Sequence, residues 1–226
     1  MITTKAIITS VRSEAPTLRR IRLQATEQDF TFLPGQWIDL ARDASGPAGG
    51  YSMTNAPNEL GIGVIELGVR RSLHPVSLWL HDEARVGDAV LIRGGQGTCV
   101  YQPCPGDEVV FVAGGVGVTP MLSMIRAARA SNHELRATLL YSVREPEDVA
   151  FRTELTALVH DERLRVVVHT TGTSPENVVT PQDVLKLGGD RATYYLCGPR
   201  GMIDSLSAGL EGAGVPPEQI RYERWS

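Results

Sequence analysis

Cysteine is scarce in this sequence: three among 226 residues, at Cys99, Cys104 and Cys197. Thiols so few and scattered make neither a disulfide framework nor a zinc knuckle nor an iron–sulfur cluster. A reducing compartment is the simplest setting, so a cytoplasmic protein is expected. An excess of one charge is missing too. Lys and Arg number 22 against 26 Asp and Glu, for a net charge of −4. No basic cluster stands out, which argues against nucleic acid as a partner. Long apolar runs are also lacking. Residues 109–125 carry no charge, but the stretch is short for a bilayer and glycine and proline interrupt it, so no membrane span is expected. The N-terminus, M-I-T-T-K-A-I-I-T-S, has no extended apolar core and reads as a strand rather than a leader or anchor. What is present is a 42% hydrophobic chain, long enough for two small domains or one large one.

The most informative stretch is V-V-F-V-A-G-G-V-G-V-T-P-M-L-S-M-I-R-A-A-R at 109–129. Residues 109–113 are uninterrupted, apolar and β-rich, which predicts a buried strand. Gly114, Gly115 and Gly117 follow, then Thr119-Pro120. From Met121 the apolar spacing becomes helical: Met121, Leu122, Met124, Ile125, Ala128. Pro120 suits the first turn of a helix, where no N–H is needed. Glycines let a backbone approach a ligand closely, and a helix N-terminus offers free N–H groups to a phosphate. A plain strand-to-helix turn is the alternative for these residues taken alone.

Residues 1–103 read as all-β. Short strands are predicted at 5–11, 17–23, 36–39, 62–69 and 89–92, separated by turn signals at Pro34-Gly35, Gly46-Pro47, Gly49-Gly50, Gly61 and Gly94-Gly95. This spacing suggests a small barrel or sandwich. One helix, opened by His74-Pro75 and running through His81, interrupts it; His81 and Asp82 are expected on its exposed side. Residues 103–107, P-C-P-G-D, read as a linker. Beyond it strand and helix alternate: strands at 109–113, 137–141, 165–170, 193–197 and 219–223, helices at 120–130, 148–159, 181–187 and 201–212. Alternation predicts βαβ crossovers and a parallel sheet covered on both faces. Ligands bind such sheets beyond the C-terminal strand ends, here residues 114–119, 141–144, 170–172 and 197–199.

Together these residues resemble the ferredoxin–NADP reductase superfamily of flavin-dependent oxidoreductases, over nearly the whole chain. Within it they are most similar to the oxidoreductase NAD-binding domain-containing proteins. Gly49–Ser52 echoes their G-G-[FY]-S, the stretch from His74 to Trp79 their H-P-x-x-L-W, and Glu223-Arg224-Trp225 their final E-x-W. The resemblance implies an N-terminal antiparallel β-barrel for FAD, residues 1–103, and a C-terminal α/β parallel-sheet domain for NAD(P), residues 107–226, with the flavin in a cleft between them. G-G-V-G-V-T-P at 114–120 is similar to the nicotinamide-nucleotide turn, with Gly114, Gly115 and Gly117 lining the pyrophosphate and Thr119, beside Pro120, near the nicotinamide ribose. Tyr141-Ser142-Val143-Arg144 resembles Y-[GS]-x-R, which implies Ser142 and Arg144 on the adenosine side. Cys197-Gly198-Pro199 with Met202 resembles C-G-P-x-x-M, whose cysteine lies by the nicotinamide; a small core residue is the plain structural alternative.

On the flavin side, Tyr51-Ser52 resembles the second half of R-x-Y-S, which implies Tyr51 packing on the isoalloxazine and Ser52 bonding it. A strand aromatic packed in a barrel is the alternative for Tyr51. Gly49 stands where that pattern has Arg, so the diphosphate lacks a charge-assisted contact. Val69, Arg70 and Arg71 at the next strand end, and Ser77 with the N–H groups of the helix opened by His74-Pro75, are the candidate replacements. Glu223 and Trp225 are implied as proton relay and flavin shield. The activity implied is hydride transfer from NAD(P)H to FAD and onward delivery of electrons to a separate acceptor, protein or small molecule. Acidic Glu145, Glu147 and Asp148 after Arg144 favour NADH over NADPH. A non-catalytic nicotinamide-nucleotide-binding module with a degenerate flavin site is the alternative.

Overall fold

The structure, a computed structural model, describes residues 3–27, 30–102, 106, 108–131, 136–159, 163–174, 177–189 and 191–223. The chain divides by contact into two units. One comprises Met1–Gln102 with Leu122–Ala127, the other Pro103–Met121 with Ala128–Ser226.

The first unit is a six-stranded sheet of β1 (Thr3–Ala15), β2 (Leu18–Ala25), β3 (Trp37–Ala41), β4 (Ala48–Ser52), β5 (Val64–Arg70) and β6 (Ala89–Gln96), in the order β4-β3-β6-β1-β2-β5. Every neighbouring pair is antiparallel. The two outer strands are joined as well: Met53 bridges Leu67, and Thr54 N donates to Glu66 O at 2.8 Å. The sheet therefore closes into a barrel around Ile8, Ile21, Leu23, Ile38, Leu40 and Leu67, all fully buried. Two glycine pairs read from sequence as turns lie inside strands: Gly49-Gly50 in β4 and Gly94-Gly95 in β6. A Cβ at Gly94 would fall 2.3 Å from Ile38 Cγ2, so glycine there admits a neighbouring strand rather than reversing the chain.

Helix α1 (Pro75–Asp82) packs beside β4 and β5. His74 is its N-cap, with Nδ1 accepting from Val76 N at 3.3 Å. His81 is 5% exposed, contrary to expectation, and its Nε2 donates to Val69 O at 2.9 Å. Burial holds its pKa below the ordinary value, which favours the neutral imidazole.

A charge cluster that no sequence motif marks lies within this unit. Glu66 on β5 is fully buried, yet three guanidinia reach it: Arg22 at 2.7 Å, Arg126 at 3.0 Å and Arg20 at 3.7 Å. Thr54 Oγ1 donates to it at 2.8 Å. Burial pushes the carboxyl pKa up, but the three arginines outweigh burial and hold it below the ordinary carboxylate value. Ser123 Oγ donates to Asn55 O at 2.8 Å and, with Arg126, fixes residues 122–127 in the same unit.

The second unit is a parallel five-stranded sheet of β7 (Glu108–Gly114), β8 (Arg136–Val143), β9 (Leu164–Thr170), β10 (Thr193–Cys197) and β11 (Ile220–Tyr222), ordered β11-β10-β7-β8-β9. Its helices are α2 (Val118–Ala130, of which 122–127 group with the first unit), α3 (Arg152–Val159), α4 (Pro181–Leu185) and α5 (Arg200–Gly212). β7 is buried along its apolar length, as a central parallel strand should be. Val110, Val112, Leu140 and Leu196 pack with Val184, Leu206 and Leu210 of α4 and α5. The helix expected at 148–159 is broken: a single 3₁₀ turn covers Pro146–Asp148, and α3 begins only at Arg152. Phe151 between them has φ 56° and is buried. A left-handed backbone there cannot continue a helix.

Candidate functional site

The chain runs from β7 outward through β8 and β9, then returns to place β10 on β7's other side. The strand ends of β7 and β10 therefore flank the point where the order reverses, where open parallel sheets bind ligands. Register sets the level: Cys197 pairs with Ala113, and Gly114 with Ser142. The turn Gly115–Gly117 and the loop Gly198-Pro199 thus leave the sheet together.

The glycines there serve different ends. Gly115 has φ 55° and is exposed, with nothing within 4 Å of where a Cβ would stand, so its backbone is open to a ligand. Gly117 is buried, and a Cβ on it would lie 2.1 Å from Cys197 O. Gly114 and Gly198 are crossed by Met202, whose Cε would fall 3.0 and 2.5 Å from their added Cβ atoms; Pro199 Cδ would fall 2.8 Å from the one on Gly114. Thr119 and Pro120 are buried in the first turn of α2, and Thr119 Oγ1 donates to Val116 O at 2.8 Å. Cys197 is 8% exposed at the end of β10.

Ser142 is buried and Arg144 exposed. Tyr141 is fully buried, burial pushes its pKa up to about 12, and its hydroxyl accepts from Ala150 N at 3.4 Å. It supports the strand end from beneath. The acidic turn after Arg144 is pinned: Glu145 N donates to Asp148 Oδ2 at 3.2 Å, and Arg152 donates to Pro146 O. Sequence reading missed His169, which pairs with Ser142 across β8 and β9. Its Nδ1 is buried with no hydrogen-bond partner among the described residues. Only strand register reveals that Gly114, Ser142 and His169 form one row. Glu223 is half-buried and follows Tyr222, which pairs with Leu196. Trp225 and the linker cysteine Cys104 lie outside the described residues.

The flavin-side candidates lie in the first unit. Tyr51 is half-buried against the barrel core, and burial raises its pKa to about 12, so the phenol keeps its proton. Ser52 is 7% exposed. A Cβ on Gly49 would sit 2.6 Å from the Tyr51 hydroxyl and 2.9 Å from two of its ring carbons: the phenol end of Tyr51 lies over Gly49. An aromatic face beside a buried hydroxyl suits an isoalloxazine.

The same residues do not suit a diphosphate. Ser77 is buried, donates to Arg70 O at 2.8 Å and accepts from Ser72 N at 3.0 Å. Pro75 has no N–H, Val76 N is taken by His74, and Leu78 N donates to His74 O. Arg71 makes a two-pronged bridge to Asp82, one arm 2.8 Å. Val69 has its side chain in the core and its carbonyl on His81. Arg70 alone among these candidates is exposed and without an ion pair among the described residues.

An antiparallel barrel joined in sequence to a parallel sheet with a glycine turn at its switch point is a ferredoxin reductase-like arrangement. The oxidoreductase NAD-binding domain model matches residues 111–208. Oxidoreductase NAD-binding domain-containing protein 1 of Bos taurus is 30% identical over 99% of this chain and 81% of its own length; the Xenopus tropicalis protein is 31% identical over 99% and 80%. The chain belongs to this family of oxidoreductase NAD-binding domain-containing proteins. Among solved structures it is similar to the Amycolatopsis cytochrome P450 reductase (TM-score 0.86, 25% identity, 99% of this chain and 69% of that one). Phthalate dioxygenase reductase is similar at TM-score 0.78 and 25% identity, over 97% and 67%. No helix among the described residues is long and apolar enough to cross a membrane.

Proposed function

We propose that this chain is a flavin-dependent NADH oxidoreductase, with residues 1–103 holding the flavin and 107–226 the nicotinamide nucleotide. The observation that carries the reading is the glycine turn at the switch point, where Gly117 lies against the Cys197 carbonyl and Gly115 is open. In this reading the backbone of Gly114, Gly115 and Gly117 and the start of α2 receive the pyrophosphate. Thr119 and Pro120 border the nicotinamide ribose. Gly198, Pro199 and Met202 wall the pocket, and Cys197 packs against the nicotinamide. Ser142 and Arg144 take the adenosine side. The carboxylates of Glu145, Glu147 and Asp148, of which Glu145 and Asp148 are held in a capping box, disfavour a 2′-phosphate and favour NADH over NADPH. Tyr51 and Ser52 orient the flavin ring, and Glu223 holds a proton for it or for the acceptor. A bound flavin supplies the chemistry: acceptance of a hydride from the nicotinamide and release of electrons to a separate acceptor.

The test is an absorbance spectrum of the purified protein with added flavin, before and after anaerobic NADH. A flavin band that NADH bleaches is expected. The crowding of Tyr51 onto Gly49 favours a second reading, a nucleotide-binding module without flavin. A protein that binds NADH but takes up no flavin would establish that reading instead. Cys197→Ser is expected to slow bleaching about tenfold, ~1.4 kcal/mol of barrier, with flavin uptake and melting temperature unchanged. A lower melting temperature with unchanged bleaching would assign Cys197 to the core alone.

A further inference from the structure

Flavins share one ring and differ in the tail. Riboflavin ends in a ribityl chain, FMN in one phosphate, FAD in a diphosphate and adenosine. What a protein recognises can therefore be separated by asking which groups are available to each part.

For the tail, most of the candidate groups at the β5 end and the start of α1 are committed to one another. The position before Gly50-Tyr51-Ser52 is glycine, and the space a longer residue there would need is filled by the Tyr51 ring. The Ser77 hydroxyl is buried and spends its hydrogen on Arg70 O. At the start of α1, Val76 N is taken by the His74 imidazole. Arg71 is held by Asp82, and Arg42 stacks over Trp79 with its guanidinium carbon 4.9 Å from the ring centroid. Of the cations at the β5 end, Arg70 stands in solvent without an ion pair among the described residues, and there a charge contact changes affinity no more than about fivefold. For the ring, the Tyr51 face and the Ser52 hydroxyl are both present.

We infer that the barrel takes its flavin by the isoalloxazine ring with almost no hold on the tail, so that riboflavin, FMN and FAD are interchangeable and reduced flavin leaves as a product. The inference rests on the flavin reductase reading above and names the acceptor's chemical class. NADH and one proton from solvent convert oxidised flavin to dihydroflavin and NAD⁺; the hydride carries both electrons, and nothing further is consumed. A free flavin, exchanging with solution, is then the separate acceptor.

The experiment is a set of equilibrium titrations of the purified full chain with riboflavin, FMN and FAD, read by flavin fluorescence and needing no turnover. The three dissociation constants are expected within tenfold of one another. Arg70→Ala should leave riboflavin unchanged and remove whatever small advantage FMN and FAD have. Tyr51→Leu should weaken all three alike, and so should Gly49→Ala, which displaces the ring; melting curves identify any variant that has merely unfolded. FAD binding more than tenfold tighter than riboflavin would overturn the inference and leave the reductase reading standing. Failure of all three flavins to bind would overturn both.

Discussion

Gly117→Ala is expected to abolish binding of a nicotinamide nucleotide and to destabilise the chain by about 3 kcal/mol, the upper end for overpacking. The added Cβ would lie 2.1 Å from Cys197 O, 2.5 Å from its carbonyl carbon and 3.0 Å from Gly198 N. All three are backbone atoms, so no side chain can rotate away. β10 must separate from the turn, and it is tied to β7 by five residues in parallel register, Thr193 with Val109 through Cys197 with Ala113. Gly115→Ala is the control for stability alone, since its Cβ would stand in the space assigned to the nucleotide and should weaken NADH binding without a packing clash. Open space surrounds that position, and its φ of 55° costs a non-glycine residue only about 1–2 kcal/mol. Thermal melting and calorimetric titration with NADH distinguish the two. A Gly117→Ala protein with native melting and native affinity would mean that the turn does not need its contact with β10.

Glu66→Gln is expected to cost about 3–5 kcal/mol at neutral pH, the scale for removing one partner of a buried ion pair. Arg20, Arg22 and Arg126 would then lose the buried carboxylate they share, although Arg20 keeps Glu14 at 2.7 Å and Arg126 keeps Glu59 at 3.8 Å. The pH dependence has a definite sign. The folded pKa of Glu66 lies below the ordinary value. Its contribution is therefore complete above the unfolded pKa of roughly 4.3, and is lost as pH falls through the lower folded value. The gap in melting temperature between native protein and Glu66→Gln should be widest at neutral pH and begin to narrow as the pH falls below about 4. A gap that stayed constant down to pH 3 would show that the charge on Glu66 is not what stabilises the barrel.

The second unit was legible because its signals are local. A charge-free strand, three glycines and a proline-started helix occupy adjacent positions, and alternating periodicities marked the remaining strands. Some local signals misled, the glycine pairs Gly49-Gly50 and Gly94-Gly95 among them. Gly49-Gly50 reads as a turn, but glycine also serves where a neighbouring aromatic must lie over a strand, and Tyr51 does so. The stretch before α3 reads as helical by composition, yet Phe151 breaks it. What stayed hidden depends on register. Glu66 looks like an ordinary polar position of an alternating strand until β2 is set beside β5, which brings Arg22 opposite it. The pair Arg20 and Arg22, two positions apart and so on one face of β2, was the available clue. His81 and His169 were invisible for the same reason, since their partners Val69 and Ser142 lie 12 and 27 residues away by number.

The bridge from Met53 to Leu67, with Thr54 bound to Glu66 beside it, has a consequence for how chains behave in a crowd. An open six-stranded sheet would present two rows of unsatisfied N–H and C=O groups, each able to recruit the strand of another molecule. Here β4 and β5 are pledged to one another at that point, and the buried carboxylate of Glu66 with its three arginines stands beside the seam. Loosening the seam would release both rows at once, so damage there should lead towards aggregation between chains before it leads to an unfolded chain in solution.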